Sequence, residues 1–131
     1  MNTKLNQILA EISAGELLDK ITILEIKMEK ITDSEKLKDI NKELSSLTKT
    51  SDEKIPDKKR IENLVSNLKK INLKLWDIEE NKRKAEKEKK FDKTFIQLSR
   101  DVYKSNDERA KIKLKINEIL GSNIKEVKSH Y

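Results

Sequence analysis

Six aliphatic residues, Ile61, Leu64, Leu68, Ile71, Leu75 and Ile78, recur at intervals of 3, 4, 3, 4 and 3. An α-helix keeps such a set on one face, whereas a strand would scatter it over two. The pattern predicts a helix over about 56–90, roughly 50 Å long at about 1.5 Å per residue. Pro56 suits its first turn and disfavours helix at the preceding Ile55. The final part, Lys82 to Lys90, has no apolar stripe and is expected to stand in solvent. Phe91 and Asp92 then turn the chain, with Asp92 capping the next helix and Phe91 stapled toward Ile96. A second stripe follows at Phe95, Leu98, Val102, Ser105, Arg109, Ile112, Ile116 and Ile119, and Gly121 ends it. Residues 56–120 thus read as a long antiparallel helical hairpin with arms at about 56–90 and 92–120.

The first half follows the same rules less regularly. Ser13-Ala-Gly-Glu16 is a capping box, and Leu17, Ile21, Leu24, Met28 and Ile31 continue it as one stripe, which predicts a helix over about 14–31. The next set, Leu37, Ile40, Leu44 and Leu47, is out of phase, and a second capping box at Thr32 to Glu35 lies between them. The N-terminal helix is therefore expected to be kinked or broken near residues 32–34 and to resume over about 35–49. Residues 8–13 and 123–129 alternate weakly, as short terminal strands do. An unbroken first helix would set those segments at opposite ends of the bundle, so pairing them within one chain requires a reversal near Thr32. The expected fold is all-α, a single coiled-coil-like helical domain spanning residues 1–131.

Composition narrows the function classes. The chain has 131 residues, of which 41% are charged and 4% aromatic, with 2 Gly, 1 Pro and no Cys. A doubly wound or barrel enzyme needs more chain and more Gly, and disulfides or Cys-ligated metals need cysteine. The motifs G-x-G-x-x-G, P-loop, G-x-S-x-G and Glu-x-x-His are absent, and the single histidine is His130 near the end. No cofactor, no metal and no assignable catalytic residue are expected, which argues against an enzyme. Glu16, Asp19, Glu25 and Glu29 lie at intervals of three, six and four on the first helix, a spacing that can serve a metal but more commonly pairs with Lys20 and its neighbours in solvent. Met1 to Ala14 has no signal-peptide core, and nowhere do 18 apolar residues follow one another, so a cytoplasmic protein without a membrane span is expected. The net charge is +6, from 30 basic against 24 acidic residues, and the only arginines are Arg60, Arg83, Arg100 and Arg109. Lysine dominance argues against base-reading nucleic-acid recognition. The run Lys82 to Lys90, interrupted by Glu86 and Glu88, reads first as a solvated face and second as a contact to nucleic acid or an anionic surface.

Across the hairpin, facing residues have numbers that sum to about 181. That sets Trp76 beside Ser105 and Asn106, Glu79 beside Val102, and Asn72 beside Arg109. A continuous first helix turning near residue 53 would bring Glu25, Lys27 and Met28 to the same level. The result is a mid-bundle polar layer of Glu25, Trp76, Asp77, Glu79, Tyr103, Asn106, Asp107 and Arg109. It has two readings. An arginine with aromatics and carboxylates inside a bundle can grip an anionic or sugar-like ligand. Alternatively, an arginine on an apolar stripe must find a carboxylate, and one buried ion pair fixes register without binding anything.

The runs Ala14-Gly-Glu-Leu-Leu-Asp-Lys-Ile-Thr-Ile-Leu-Glu-Ile-Lys27, Leu-Trp-Asp-Ile-Glu79, Val-Tyr-Lys-Ser-Asn-Asp-Glu-Arg-Ala-Lys111 and Ile-Asn-Glu-Ile-Leu-Gly121 resemble an uncharacterised bacterial family of small helical proteins, a domain of unknown function. The resemblance spans most of the chain. It implies genes neighbouring those for sugar polymers or glycosyltransferases, hence a protein partner linked to sugar-polymer synthesis, and its motif positions coincide with the polar layer. The expected function is a protein–protein interaction or scaffold module acting as a homodimer, since a long hairpin hides a second apolar stripe only against a partner. The alternatives are a binder or enzyme for an anionic or sugar-nucleotide ligand at the polar layer, and an accessory nucleic-acid binder working through residues 82–90.

Overall fold

The structure, a computed structural model, describes residues 4–128. Four helices follow in order: α1 (Ala14–Lys30), α2 (Ser34–Lys54), α3 (Glu62–Glu88) and α4 (Lys93–Leu120), with a 3₁₀ turn at Lys59–Ile61 leading into α3. The fold is the expected all-α one. None of the four is long and apolar enough to cross a membrane.

Each boundary has a local cause. The Ser13 hydroxyl accepts the Glu16 amide at 3.0 Å, the serine half of the expected capping box, while the Glu16 carboxylate accepts from Lys113. Ile31 is extended at φ −89° and ψ 137°, and Asp33, not Thr32, caps α2 by accepting the Glu35 and Lys36 amides. Three residues therefore reverse the chain completely. Packing drives the reversal: α2 folds back along α1, and Ile55 just beyond its end is buried with Leu17 and Leu18 near the start of α1. α2 also runs past the expected residue 49 to Lys54, because Ser51 and Ile55 both reach the interior. The docking of Ile55 displaces the start of the next helix as well. Pro56 does not open α3; the chain crosses from Pro56 to Lys58, winds through the 3₁₀ turn with Ile61 buried, and α3 begins at Glu62.

At the other end of α3, Lys89 adopts the left-handed conformation, and Asp92 caps α4 through the Thr94 and Phe95 amides. The Phe91 ring packs edge-on against Phe95 at 5.2 Å, and both Phe91 and Ile96, the expected staple pair, stay about half exposed. Gly121, at φ 65°, ends α4 as its sequence position predicts.

α3 and α4 form the antiparallel hairpin. α1 packs against α2, α3 and α4, whereas α2 packs on α1 alone among the helices. This explains why α1 buries more than one stripe: Gly15, Leu18, Asp19, Thr22 and Ile26 are buried beside Leu17 and Leu24. The main core joins Leu17, Leu18, Ile55, Ile61, Leu68 and Ile116. The hairpin outreaches α1, since 27 residues of α3 span about 40 Å against about 26 Å for the 17 of α1. No residue from 79 to 104 is buried.

The described parts of the two terminal segments form no strand. They nevertheless meet at one end of the bundle, as a chain reversed at Thr32 requires. Asn123 Nδ2 donates to Glu11 at 2.6 Å, Ser13 Oγ to Glu126 at 3.2 Å, and the Ala14 amide to Ser122 Oγ at 3.1 Å. Ser129 and His130 lie outside the described residues.

Candidate functional site

The polar centre of the bundle is built where α1 crosses α4. Successive pairs Gly15–Asn117, Glu16–Lys113 and Asp19–Arg109 show the two helices running antiparallel. Gly15 permits the closest approach: a Cβ there would lie 2.6 Å from the Lys113 carbonyl oxygen. Its amide donates to Asn117 Oδ1 at 2.7 Å.

Asp19 is wholly inaccessible and is the hub. Its Oδ1 accepts Arg109 Nε at 3.0 Å and Asn72 Nδ2 at 2.8 Å, while its Oδ2 accepts Arg109 Nη2 in a short hydrogen bond and lies 3.8 Å from Lys113 Nζ. The pair is the bidentate fork that an arginine makes with a carboxylate. Asn72 also donates to Thr22 Oγ1 at 2.9 Å, and Arg109 Nη1 reaches Asn106 Oδ1 at 3.4 Å. Next to it, Lys113 Nζ lies 2.6 Å from Glu16 and 3.1 Å from Glu126 of the C-terminal segment, and Lys20 lies 3.6 Å from Glu16.

These contacts set the protonation states. Burial pushes the Glu16 carboxyl up, but the hydrogen bond and charge of Lys113, helped by Glu126 and Lys20, outweigh it and hold the carboxyl below its ordinary value. For Lys113, burial favours the neutral amine, yet the hydrogen bonds it donates to Glu16 and Glu126 and the charges of Asp19 and Glu16 raise it overall. The hydrogen bond to Asp19 raises Arg109 despite its partial burial.

The predicted layer is thus met in part. Arg109 and Asn106 belong to it, and Asn72 stands level with Arg109 as the hairpin register requires, both meeting at Asp19. Glu25 does not supply the carboxylate. With α1 reversed at residue 31 instead of continuing to residue 53, its Asp19 stands at the level of Arg109, and Glu25 is half-buried six residues further along. Trp76 is half-buried, Asp77 exposed, and Glu79 pairs with Arg83 at 3.1 Å on the solvent side. Tyr103 is exposed, and Asp107 pairs with Lys128 at 3.0 Å. The four α1 carboxylates do not share a site either: Glu16 and Asp19 turn inward to cations, while Glu29 lies 3.2 Å from Lys69. The signal that marks the true layer is a second set on α1, Gly15, Asp19, Thr22 and Ile26, at intervals of 4, 3 and 4. A carboxylate flanked by small residues at helical spacing announces a close-packed face with a buried charge.

An open groove of about 710 Å³ borders this layer, lined by Asn106, Arg109, Lys113, Asn117, Glu126 and Lys128 among others. Three of its cations are already matched, Arg109 by Asp19, Lys113 by Glu16 and Glu126, and Lys128 by Asp107, whereas Lys111, which also lines it, forms no ion pair among the described residues. A second groove, of about 920 Å³, lies at the same end as the termini, between the segment Gln7–Ser13 and Leu17, Leu47, Ile55 and Leu120.

No curated protein and no solved structure is found to be similar to the chain. A family model does match, over residues 8–131, and takes in all four helices. The chain accordingly belongs to DUF6165, a family of unknown function.

Proposed function

We propose that the chain is an interaction module that works as a homodimer, with the Asp19–Arg109 layer as its internal brace. The observation that carries this reading is the arm before α1. Leu5, Ile8 and Leu9 are 79%, 79% and 84% exposed, and Ile12 is also exposed. Together they stand at i, i+3, i+4 and i+7, the spacing of one helical face, on a segment without regular structure. Such a set gains most by folding against an apolar groove, and the groove floored by Leu17, Leu47, Ile55 and Leu120 adjoins it. Arm and groove on one chain make a self-complementary surface, which a two-fold pair uses twice. The saturation of the polar layer supports the same reading, since every charge in it already has a partner.

Light scattering at micromolar concentration tests this: wild type should run as a dimer, and Ile8→Asp with Leu9→Asp as a folded monomer whose melting midpoint, unlike that of wild type, no longer depends on protein concentration. A monomeric wild type refutes it. A second reading, an anionic or sugar-nucleotide ligand in the groove beside Arg109, is favoured by Asn117, which is fully buried, lines that groove and has an Nδ2 with no partner among the described residues. A melting-temperature rise with nucleotide sugars or sugar phosphates, lost in a folded Arg109→Ala, would establish it.

A further inference from the structure

We propose that the tip of the α3–α4 hairpin docks on an anionic lipid surface. Three independent observations meet there. The first is charge. Residues 82–93 carry seven cations, Lys82, Arg83, Lys84, Lys87, Lys89, Lys90 and Lys93, against Glu86, Glu88 and Asp92, a net +4 within a chain whose total is +6. Among the described residues, Lys84, Lys87, Lys89 and Lys93 form no ion pair within 4 Å, and Lys90 reaches Glu88 only at 3.9 Å.

The second is apolar surface with no structural use. Phe91 and Ile96 are 54% and 53% exposed at the turn, and nothing from residue 79 to 104 is buried, so the tip has no core for them to complete. Phe91 and Phe95 meet edge to face, and Lys82 Nζ sits 5.6 Å above the Phe95 ring.

The third is backbone strain. Lys89, at φ 56° and ψ 39°, is the one non-glycine residue with positive φ among the described residues. The same stop at the end of α4 is made by Gly121, the residue that adopts this conformation without penalty. At the tip a lysine holds it, which places a cation at the outermost turn at a cost in stability. An outlier of that kind points to use.

Exposed aromatic and aliphatic groups within a lysine-rich turn fit a bilayer interface. The rings enter at the headgroup level while the ammonium groups meet anionic phosphates. Nucleic acid fits less well: the one arginine of the tip, Arg83, is tied to Glu79 at 3.1 Å, the aromatic pair is edge-to-face and offers no paired stacking platform, and Glu86 and Glu88 interrupt a phosphate track. The contact is peripheral, since none of the four helices can span a bilayer.

The test is flotation of the full chain with vesicles of phosphatidylcholine alone or mixed with phosphatidylglycerol, at low ionic strength and at about 0.15 M salt. Binding is expected only to the anionic vesicles and should fall at least tenfold as salt rises. Phe91→Ser should weaken it several-fold and leave the salt response intact. Lys89→Gly is the decisive variant, because it relieves the backbone: its melting midpoint should rise by a few degrees while vesicle binding falls about fivefold, the share of one cation near the surface. Equal binding to neutral vesicles, no binding at low salt, or tighter binding to a single-stranded oligonucleotide than to anionic vesicles would overturn the proposal. So would Lys89→Gly with unchanged affinity.

Discussion

The Asp19–Arg109 pair makes a quantitative claim about stability that a double-mutant cycle can decide. Asp19 is 0% exposed, whereas the Arg109 side chain is 28% exposed. The two single deletions should therefore differ. Arg109→Ala strands a buried carboxylate that keeps only the Asn72 bond at 2.8 Å and Lys113 at 3.8 Å, and breaking a buried pair in this way costs about 3–5 kcal/mol. Asp19→Ala strands a guanidinium that can turn toward water, and the remaining loss is an Asn72 amide donor, so about 2 kcal/mol is expected. Replacing both, as Asp19→Leu with Arg109→Met, removes the charges together and fills the space, which leaves stability nearly unchanged. At about 4 °C per kcal/mol for a domain of this size, the Arg109→Ala melting midpoint should fall by roughly 12–20 °C, with the double variant near wild type. Urea and thermal unfolding followed by circular dichroism give all four corners. If the single costs simply add to within about 0.5 kcal/mol, the pair is not coupled and the brace is refuted.

Gly15→Ala should lower stability although Ala is the better helix former by about 1 kcal/mol, because the new Cβ meets the Lys113 carbonyl oxygen at 2.6 Å and α1 must move off α4; a neutral or raised melting midpoint would contradict that approach. The Glu16–Lys113 pair predicts a pH window. Glu16 is held below its ordinary 4.5, so its contribution is present above that pH and is lost as pH falls through the lower folded value; Lys113 is held above 10.5, so its contribution is full below that pH and is lost as pH rises through the higher folded value. Melting midpoints across pH should show that plateau, and Lys113→Met should shrink the acid limb. Hydrogen exchange should divide the hairpin, with amides of residues 79–104 exchanging well before those of 64–78 and 106–118, since burial ends at Ile78 and resumes at Ser105; uniform protection along both arms would contradict it.

The hairpin was legible because its stripes repeat over many turns, and of the first stripe Ile61, Leu68, Ile71 and Ile78 are buried, Ile61 in the 3₁₀ turn and the others on α3. Register carried the reading as far as Asn72 and Arg109. The partner carboxylate was missed for a topological reason. Periodicity sees a break at Thr32 but not its angle, and that angle decides whether residue 25 or residue 19 of α1 stands opposite Arg109. The start of α3 escaped for a packing reason: Pro56 is a legitimate first helical residue, but Ile55 is drawn into the core and the chain needs the segment to Ile61 to recover helical direction. Tyr103 and Asp77 were assigned by level alone, and level does not say which side of a helix faces inward.

α1 is the piece that makes one object of two hairpins, and its second face explains why a buried charge is kept in so thin a core. Apolar contacts between α1 and α4 could slide by a turn with little penalty, because Ile112, Ile116 and Leu120 repeat along α4. The Asp19 fork with Arg109 and the Gly15 bond to Asn117 cannot both survive such a shift. Buried ion pairs of this kind add little net stability against an apolar replacement, and fixing register is their best-attested role. On that account the layer locks where the end of α4 stands relative to the start of α1, and hence where Ser122, Asn123 and Glu126 meet Ala14, Glu11 and Ser13. The arm and groove proposed as the dimer surface lie at that junction, so a variant that loosens the layer without unfolding the bundle, such as Asp19→Asn, should weaken self-association from two turns away.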